Sequence, residues 1–437
     1  MPAGCATPSI MKSSPIFALI AATLGAPLAP AAGPAELKYV VIVSRHGVRS
    51  PTWDAVRLNQ YSALPWPDWG VAPGELTPHG RDLVKIMGAY YREWLTGERL
   101  YSRTGCQDAG RIYIWADSGH RTIDTGRALA ESLLPGCGLA IHSQPDGRRD
   151  PIFAGDGTPD PESEARALRE RLGPQPEKLI ADHAAALATL QFILMGENGT
   201  PGTLMESPIG VSVKAKSVAL TGPFATSSAL SEDFLLEYAN GMIGTDLGWG
   251  RLTKENLFSV LELHSVYTDL MRRTPLLARV HGSNLLAHVL CSMEQAVSGK
   301  PVSGALGNVG DALLVLSGHD TNLSNISGML GLSWHLPGYQ PDDTPPGGAL
   351  IFSLWRDPAT GEYFVKTRYL AQTLDQMRNG ERLTIAAPPA SQEVAIPACG
   401  TVSQSGCSWQ SFRPAVRQVV DLRFTTIGTG LQSMAVR

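Results

Sequence analysis

The sequence predicts an α/β protein, with a mixed central sheet flanked by helices and an all-helical cap inserted into it. Three observations carry that expectation. Short apolar, β-branched runs end three times in a turn dense in Arg, His and Asp, at residues 39–51, 111–121 and 312–322, as the strands of an open sheet do. Two apolar runs, 349–355 and 362–370, flank Asp357-Pro-Ala-Thr-Gly361 and read as a hairpin, so the sheet is not purely parallel. Between Asp150 and Thr274 the apolar spacing is helical, with no β-like alternation of any length.

Taken in order, the core begins with Tyr39–Val43, an uncharged run with the length of one buried strand. It stops at Ser44, and Arg45-His46-Gly47-Val48-Arg49-Ser50-Pro51 follows. Gly47 permits a sharp turn or a close approach, and Pro51 keeps the strand from continuing. An aromatic loop comes next, with Trp53, Tyr61, Trp66 and Trp69 set among Pro65, Pro67 and Pro73. Thr77 is placed to cap a helix with Pro78 in its first turn, and Leu83, Ile86, Met87, Tyr90, Tyr91 and Trp94 give that helix an apolar face. His79 reads as a helix-start residue. Arg111–Ala116 is the second strand and Asp117–His120 its turn, after which Arg121 enters a helix.

The inserted segment carries helical patterns over 161–173, 177–195 and 225–239 and from Lys254 onward, with His183 on an apolar stripe as a satisfied core residue. Ala312–Leu316 is the third strand, and Ser317–Asn322 its turn before a helix over 323–330. The expected layout is therefore one α/β domain from residues 36–150 and 275–437, with a helical cap at 151–274.

A chain of 437 residues is long enough for this layout, and 43% hydrophobic with 17% charged residues describes a soluble globular protein. The net charge is −4 and there is no Lys/Arg block to follow a nucleic-acid backbone, so a nucleic-acid partner is disfavoured. Lys12, the apolar run Ile16–Leu24 and Ala29-Pro30-Ala31 form the pattern of an export signal cleaved after Ala31, with Met11 as an alternative start. That run is too short to span a bilayer, so no membrane association is expected once residues 1–31 are removed. The expected location is periplasmic or secreted. Cysteine usage agrees: Cys399 and Cys407 can close a small loop, Cys106 and Cys137 flank one strand–helix unit, and Cys291 is left free in an apolar helix. No CxxC, HExxH or Cys/His cluster suggests a metal.

The three strand ends release Arg45, His46 and Arg49, then Arg121, then His319 and Asp320. In an open α/β sheet such ends converge on one crevice. Arginines beside a histidine repel unless an anion lies between them, and forked guanidinium donors suit a carboxylate or, better, a phosphate. Arg121 also lies near a helix N-terminus, which favours anions further.

RHGVRSP at 45–51 resembles the RHGxRxP signature of the histidine acid phosphatases, and GHDTN at 318–322 resembles the second signature of that family. The segments LTGPF, GWGR, RRTPLLAR, TPPGG and QTLDQMR are similar to the branch with bacterial phytases and periplasmic glucose phosphatases. The resemblance implies a phosphoglycerate mutase-like α/β core with a cap, no cofactor, and a small phosphomonoester such as phytate or a sugar phosphate as substrate. It also implies roles. His46 is the nucleophile that becomes phosphorylated, and Asp320 is the proton donor to the leaving oxygen. Arg45, Arg49, Arg121, His319 and Thr52 bind the substrate. HDTN and Thr52 agree with the phytases. Trp53 departs from them, standing where they carry a lysine, at the pocket rim or packed under the aromatic loop. A sugar phosphatase with little phytase activity is the alternative. A phosphoglycerate mutase-like transferase is opposed by the export signal and by Asp320. A non-catalytic phosphate-ester binder is opposed by the retention of both His46 and Asp320.

Overall fold

Apolar side chains on both faces of one strand set the centre of the molecule. The computed structural model describes residues 34–102, 105–145, 147–155, 159–197, 208–400 and 406–427. Its strands are β1 (Glu36–Arg45), β2 (Ile112–Ala116), β3 (Ile141–His142), β4 (Gly210–Lys214), β5 (Ser217–Thr221), β6 (Leu313–Gly318), β7 (Ala349–Arg356), β8 (Tyr363–Ala371), β9 (Ala390–Glu393) and β10 (Cys407–Ser408). The helices are α1 (Ala55–Leu58), α2 (Pro78–Gly97), α3 (His120–Leu133), α4 (Pro151–Ala154), α5 (Pro161–Leu172), α6 (Glu177–Asp182), α7 (Ala184–Met195), α8 (Pro223–Ala239), α9 (Lys254–Arg273), α10 (Pro275–Ser298), α11 (Asp320–Leu330), α12 (Leu374–Asn379) and α13 (Trp409–Val419).

The main sheet runs β10–β8–β7–β1–β6–β2–β3, with β9 paired to β8. The β1–β6, β6–β2 and β2–β3 pairs are parallel, and the pairs on the β7 side are antiparallel. This is the expected mixed sheet. β1 lies inside it because Val40, Val41, Ile42 and Val43 all lose their exposure. Tyr39, Val41 and Val43 join an apolar cluster shared with the inserted helices, while Val40 and Ile42 join the cluster under α2 and α3. Each such side chain contributes roughly 1.5–3 kcal/mol on burial. The β1–β6 ladder continues through Ser44↔Ser317 to Arg45↔Gly318, so both strands outrun the apolar segments that mark them in the sequence. The turn after β1 then packs against α2, where a Cβ on Gly47 would lie 2.6 Å from Val84 Cγ2. Close approach is thus what Gly47 supplies. α2 starts as expected, with Thr77 accepting from the Gly80 N–H and Pro78 in its first turn.

Two expectations for the inserted segment are corrected. It is not all-helical, because β4 and β5 form a two-stranded antiparallel sheet closed by Ala215 and Lys216. Five-residue strands joined by a turn without Asn-Gly leave little pattern to read. The single helix over 177–195 is broken at His183, whose φ of −111° and ψ of 19° interrupt it. Its ring leaves the helical stripe to pair with Glu262 on α9. The targeting segment lies outside the described residues. Among the described residues, no helix is long and apolar enough to cross a membrane.

Cys106–Cys137 and Cys399–Cys407 are disulfide-bonded, and Cys291 is free and buried in α10. Burial pushes the Cys291 thiol up to about 12, so little of the reactive thiolate exists at neutral pH. Iodoacetamide is expected to leave Cys291 unmodified in the native protein and to label it after unfolding without reduction. Peptide mapping that joins Cys291 to another cysteine contradicts this arrangement.

Candidate active site

β1, β6 and β2 are neighbours in the sheet, so the turns after them open side by side. Arg45 is the last residue of β1 and is only 1% exposed. Its backbone N–H donates to Gly348 O at 2.9 Å, its Nη1 donates to Thr344 O at 2.6 Å, and its Nη2 pairs with Glu232 on α8. Arg49 Nη2 reaches the other oxygen of the same carboxylate at 3.0 Å. Two buried guanidinium groups therefore share one carboxylate, a charge-assisted arrangement in which each cation keeps a counter-charge. Asp233 stands 4.0 Å from Arg49, but burial pushes its carboxyl up to about 7. In acid it is neutral, and Glu232 carries the balance. Burial brings Arg49 down to about 10, which leaves it charged throughout the acid and neutral range.

His46 is 2% exposed, and its Nδ1 lies 2.8 Å from Gly47 O. A carbonyl only accepts, so Nδ1 carries the proton and Nε2 presents a lone pair. Burial, then Arg45, Arg49, His319 and Arg121, hold the imidazole well below its usual range. Its ring centroid is 5.6 Å from that of His319. The His319 ring is held by Asp117, with Nε2 and Oδ2 2.6 Å apart. Asp320 opens α11. Burial alone would raise its carboxyl, but Arg45, His264, Arg272 and His46 outweigh burial and hold it well below the usual carboxylate range. Arg121, in the first turn of α3, is half-buried with an unpartnered Nε.

Thr52 is exposed and Trp53 half-buried. A Cβ on Gly74, whose φ is +79°, would lie 3.7 Å from both Thr52 Cγ2 and Arg121 Nη1. Thr52 and Arg121 thus both approach the turn at Gly74. Trp53 is packed against the core cluster that includes Trp66. Its ring lies 5.7 Å from that of Tyr61, and the Arg57 guanidinium sits 3.6 Å above it. The structure accordingly brings Arg45, His46, Arg49, His319 and Asp320 into one charged cluster, with Arg121 and Thr52 at its edge. It adds Asp117, Glu232, His264 and Arg272, which the sequence reading did not single out. Asp117 was visible only as part of a turn. Glu232 left one signal, since α8 buries Glu232, Asp233 and Glu237 among apolar residues and has no polar face to explain them.

A paired histidine and carboxylate ringed by arginines is chemistry for a phosphate ester, and comparison with known proteins agrees. The model of the histidine phosphatase superfamily (branch 2) matches residues 36–170 and 224–369. The chain belongs to that family. It is 33% identical over 401 residues to Phytase AppA of Escherichia coli strain K12, covering 88% of this chain and 92% of that one. It is 25% identical over 425 residues to a Glucose-1-phosphatase of Providencia rettgeri, covering 94% and 100%. The solved phytase of Hafnia alvei in complex with tartrate superimposes with a TM-score of 0.83 at 35% identity, over 91% of this chain and 100% of that chain. The same phytase has been solved in complex with myo-inositol hexakis sulphate. The protein is a phosphoric monoester hydrolase of the histidine acid phosphatase type.

Glu232→Gln removes the shared carboxylate and leaves two buried cations. Breaking such a pair costs about 3–5 kcal/mol, so the melting temperature is expected to fall in phosphate-free buffer. Inorganic phosphate should restore more of that loss than it adds to the parent. A variant of parental stability, or a loss that phosphate does not relieve, shows that other groups balance the arginines.

Proposed function

We propose that this chain is an exported, phytase-like acid phosphatase that hydrolyses phosphomonoesters through a phosphohistidine on His46. The observation that carries the reading is His46 itself. It is a buried imidazole with its Nδ1 proton tied to a carbonyl and its Nε2 lone pair free, surrounded by arginines. Arg45, Arg49 and Arg121 hold the non-bridging oxygens and His319 adds a donor, so charge developing in transfer is stabilised without reorganisation. The Nε groups of Arg45, Arg49 and Arg121 are buried without a partner and open to a phosphate while Glu232 stays on the Nη2 groups of Arg45 and Arg49. Residues 151–274 act as the cap over the sheet-borne groups.

In the first step Nε2 of His46 bonds to phosphorus, the ester P–O bond breaks, and the Asp320 carboxyl gives its proton to the departing oxygen. In the second, Asp320 takes a proton from water, whose oxygen attacks phosphorus and releases His46 and phosphate. Asp320 must enter protonated although nearby cations hold its carboxyl low. The bound phosphate offsets those cations and raises the carboxyl's affinity for a proton. The signs give an acid optimum. His46 remains an unprotonated nucleophile well into acid, while activity falls as rising pH ionises Asp320. Export is supported by the N-terminal apolar pattern and the two disulfides. A sugar-phosphatase range has one observation in its favour, the indole of Trp53 where the related phytases carry a lysine.

His46→Ala is expected to abolish phosphate release from every ester while the variant folds. Acid quench of the parent during turnover should trap phosphate on His46, and near-parental activity in the variant would falsify the assignment.

Asp320→Asn separates the acid from the nucleophile. Alkyl phosphates, whose leaving groups need a proton, should lose about 10²–10⁴-fold in kcat. p-Nitrophenyl phosphate should lose far less, and its high-pH decline should disappear. Equal losses on both substrates place the acid elsewhere.

A further inference from the structure

Two arginines stand side by side at the C-terminal end of α9, and the fold uses them differently. Arg273 is engaged on every side. Its Nη1 donates to Ser327 Oγ at 2.5 Å and its Nη2 to Leu332 O at 2.8 Å, with Asp342 and Asp269 carboxylate oxygens 3.2 and 3.6 Å away. It fastens α9 to α11. Arg272 is also half-buried, yet it makes no hydrogen bond or ion pair with any described residue. Its charge helps hold the Asp320 carboxyl low, yet no ion pair or hydrogen bond ties its donors down, so they remain open to an incoming anion.

Helix geometry says which way Arg272 faces. It follows His264 and Thr268 at successive four-residue steps, so the three share one side of α9. His264 and Thr268 are buried. His264 Nδ1 lies 3.0 Å from Ser228 Oγ on α8, one turn before the Glu232 that pairs with Arg45 and Arg49. This side of α9 therefore looks toward the active-site cluster. Arg45, His46, Arg49 and Asp320 stand at the ends of β1 and β6, whereas Arg272 comes from a helix of the inserted segment. A phosphoryl group held at the strand ends directs the rest of its ester toward that segment.

We propose that Arg272 binds an anionic substituent on the leaving group, specifically a second phosphate of a polyphosphorylated substrate whose scissile phosphate sits among Arg45, Arg49 and Arg121. The inference rests on the phosphatase reading of this site and narrows its substrate class. It predicts a preference carried by the cap segment and not by the signature turn.

The test compares the parent, Arg272→Gln and Arg272→Lys on phytate, glucose 1-phosphate and p-nitrophenyl phosphate. Each is assayed at its own pH optimum, which removes any shift caused through Asp320. A charge-assisted contact of about 1.5–3 kcal/mol sets the scale. The kcat/KM ratio of phytate to glucose 1-phosphate is expected to fall about tenfold or more in Arg272→Gln, mainly through KM. Inhibition by inorganic phosphate should change little, and Arg272→Lys should recover much of the ratio. Equal losses on all three esters, with weaker phosphate inhibition, would place Arg272 on the scissile phosphate and overturn the proposal. So would an unchanged ratio, or a parent that hydrolyses both monophosphates but not phytate. A parent that releases phosphate from none of the three overturns the phosphatase reading itself.

Discussion

The whole arrangement depends on keeping a guanidinium at the end of a central strand. Arg45 is almost fully buried at the point where β1 leaves the sheet, a position that an isolated cation could occupy only at a cost of several kcal/mol. Two things make it tolerable. The Thr344–Gly348 segment supplies a carbonyl for its side chain and another for its backbone. The same segment fixes His46 from the other side, with Gly347 donating to His46 O at 2.9 Å. Glu232 then comes in from α8, in the inserted segment, to neutralise Arg45 and Arg49 together. A sheet that presented these arginines without the inserted helices would hold unbalanced charge at its most buried end. The core and the insertion are thus joined by electrostatics as well as by the apolar cluster they share.

The same cluster sets His46 and Asp320, the proposed nucleophile and acid, apart. Burial lowers a histidine and raises a carboxyl, so in a neutral pocket both would lean toward their uncharged forms. Adding cations acts on both in one direction. It drives His46 further down, which suits a nucleophile, and it drives Asp320 down against burial, which does not suit an acid. The substrate resolves the conflict, because a phosphate brings the negative charge that the site lacks. On the proposed roles, such a site holds its acid in the ionised form until there is an ester to cleave, which couples proton delivery to occupancy.

What could be read from the chain follows from where each contribution originates. Arg45, His46, Arg49, Arg121, His319 and Asp320 all lie within a few residues of an apolar run, so local pattern is enough to bring them to one edge of a sheet. Glu232, His264 and Arg272 sit within helices, and only the packing of α8 against α9, with Glu232 reaching Arg45 and Arg49, gives them a common target. No local period announces such a contact. The β4–β5 hairpin was hidden for another reason, since Val211, Val213, Val218 and Leu220 alternate over strands too short to stand out from helical spacing. His183 shows the reverse error. Its apolar periodicity is real, but pairing with Glu262 outweighs the continuity of a marginal helix.

Trp53 shows why a single substitution is a poor guide to the charge of a rim. Read along the chain, an indole in place of a lysine subtracts one cation and adds an apolar face. In the fold, Asp54 caps α1 and fixes Arg57 one turn ahead, and the Arg57 guanidinium lies over the Trp53 ring. A cation held on an indole face gains about 0.5–1 kcal/mol when exposed, and it remains available to an anion through its outward N–H groups. The segment therefore keeps a positive charge, carried now by a planar fork resting on a ring and not by a flexible ammonium. Loss of the lysine does not by itself argue for a monophosphate substrate. Discrimination between sugar monophosphates and polyphosphates depends on how many cations lie beyond the scissile phosphate, and those come from segments far apart in sequence.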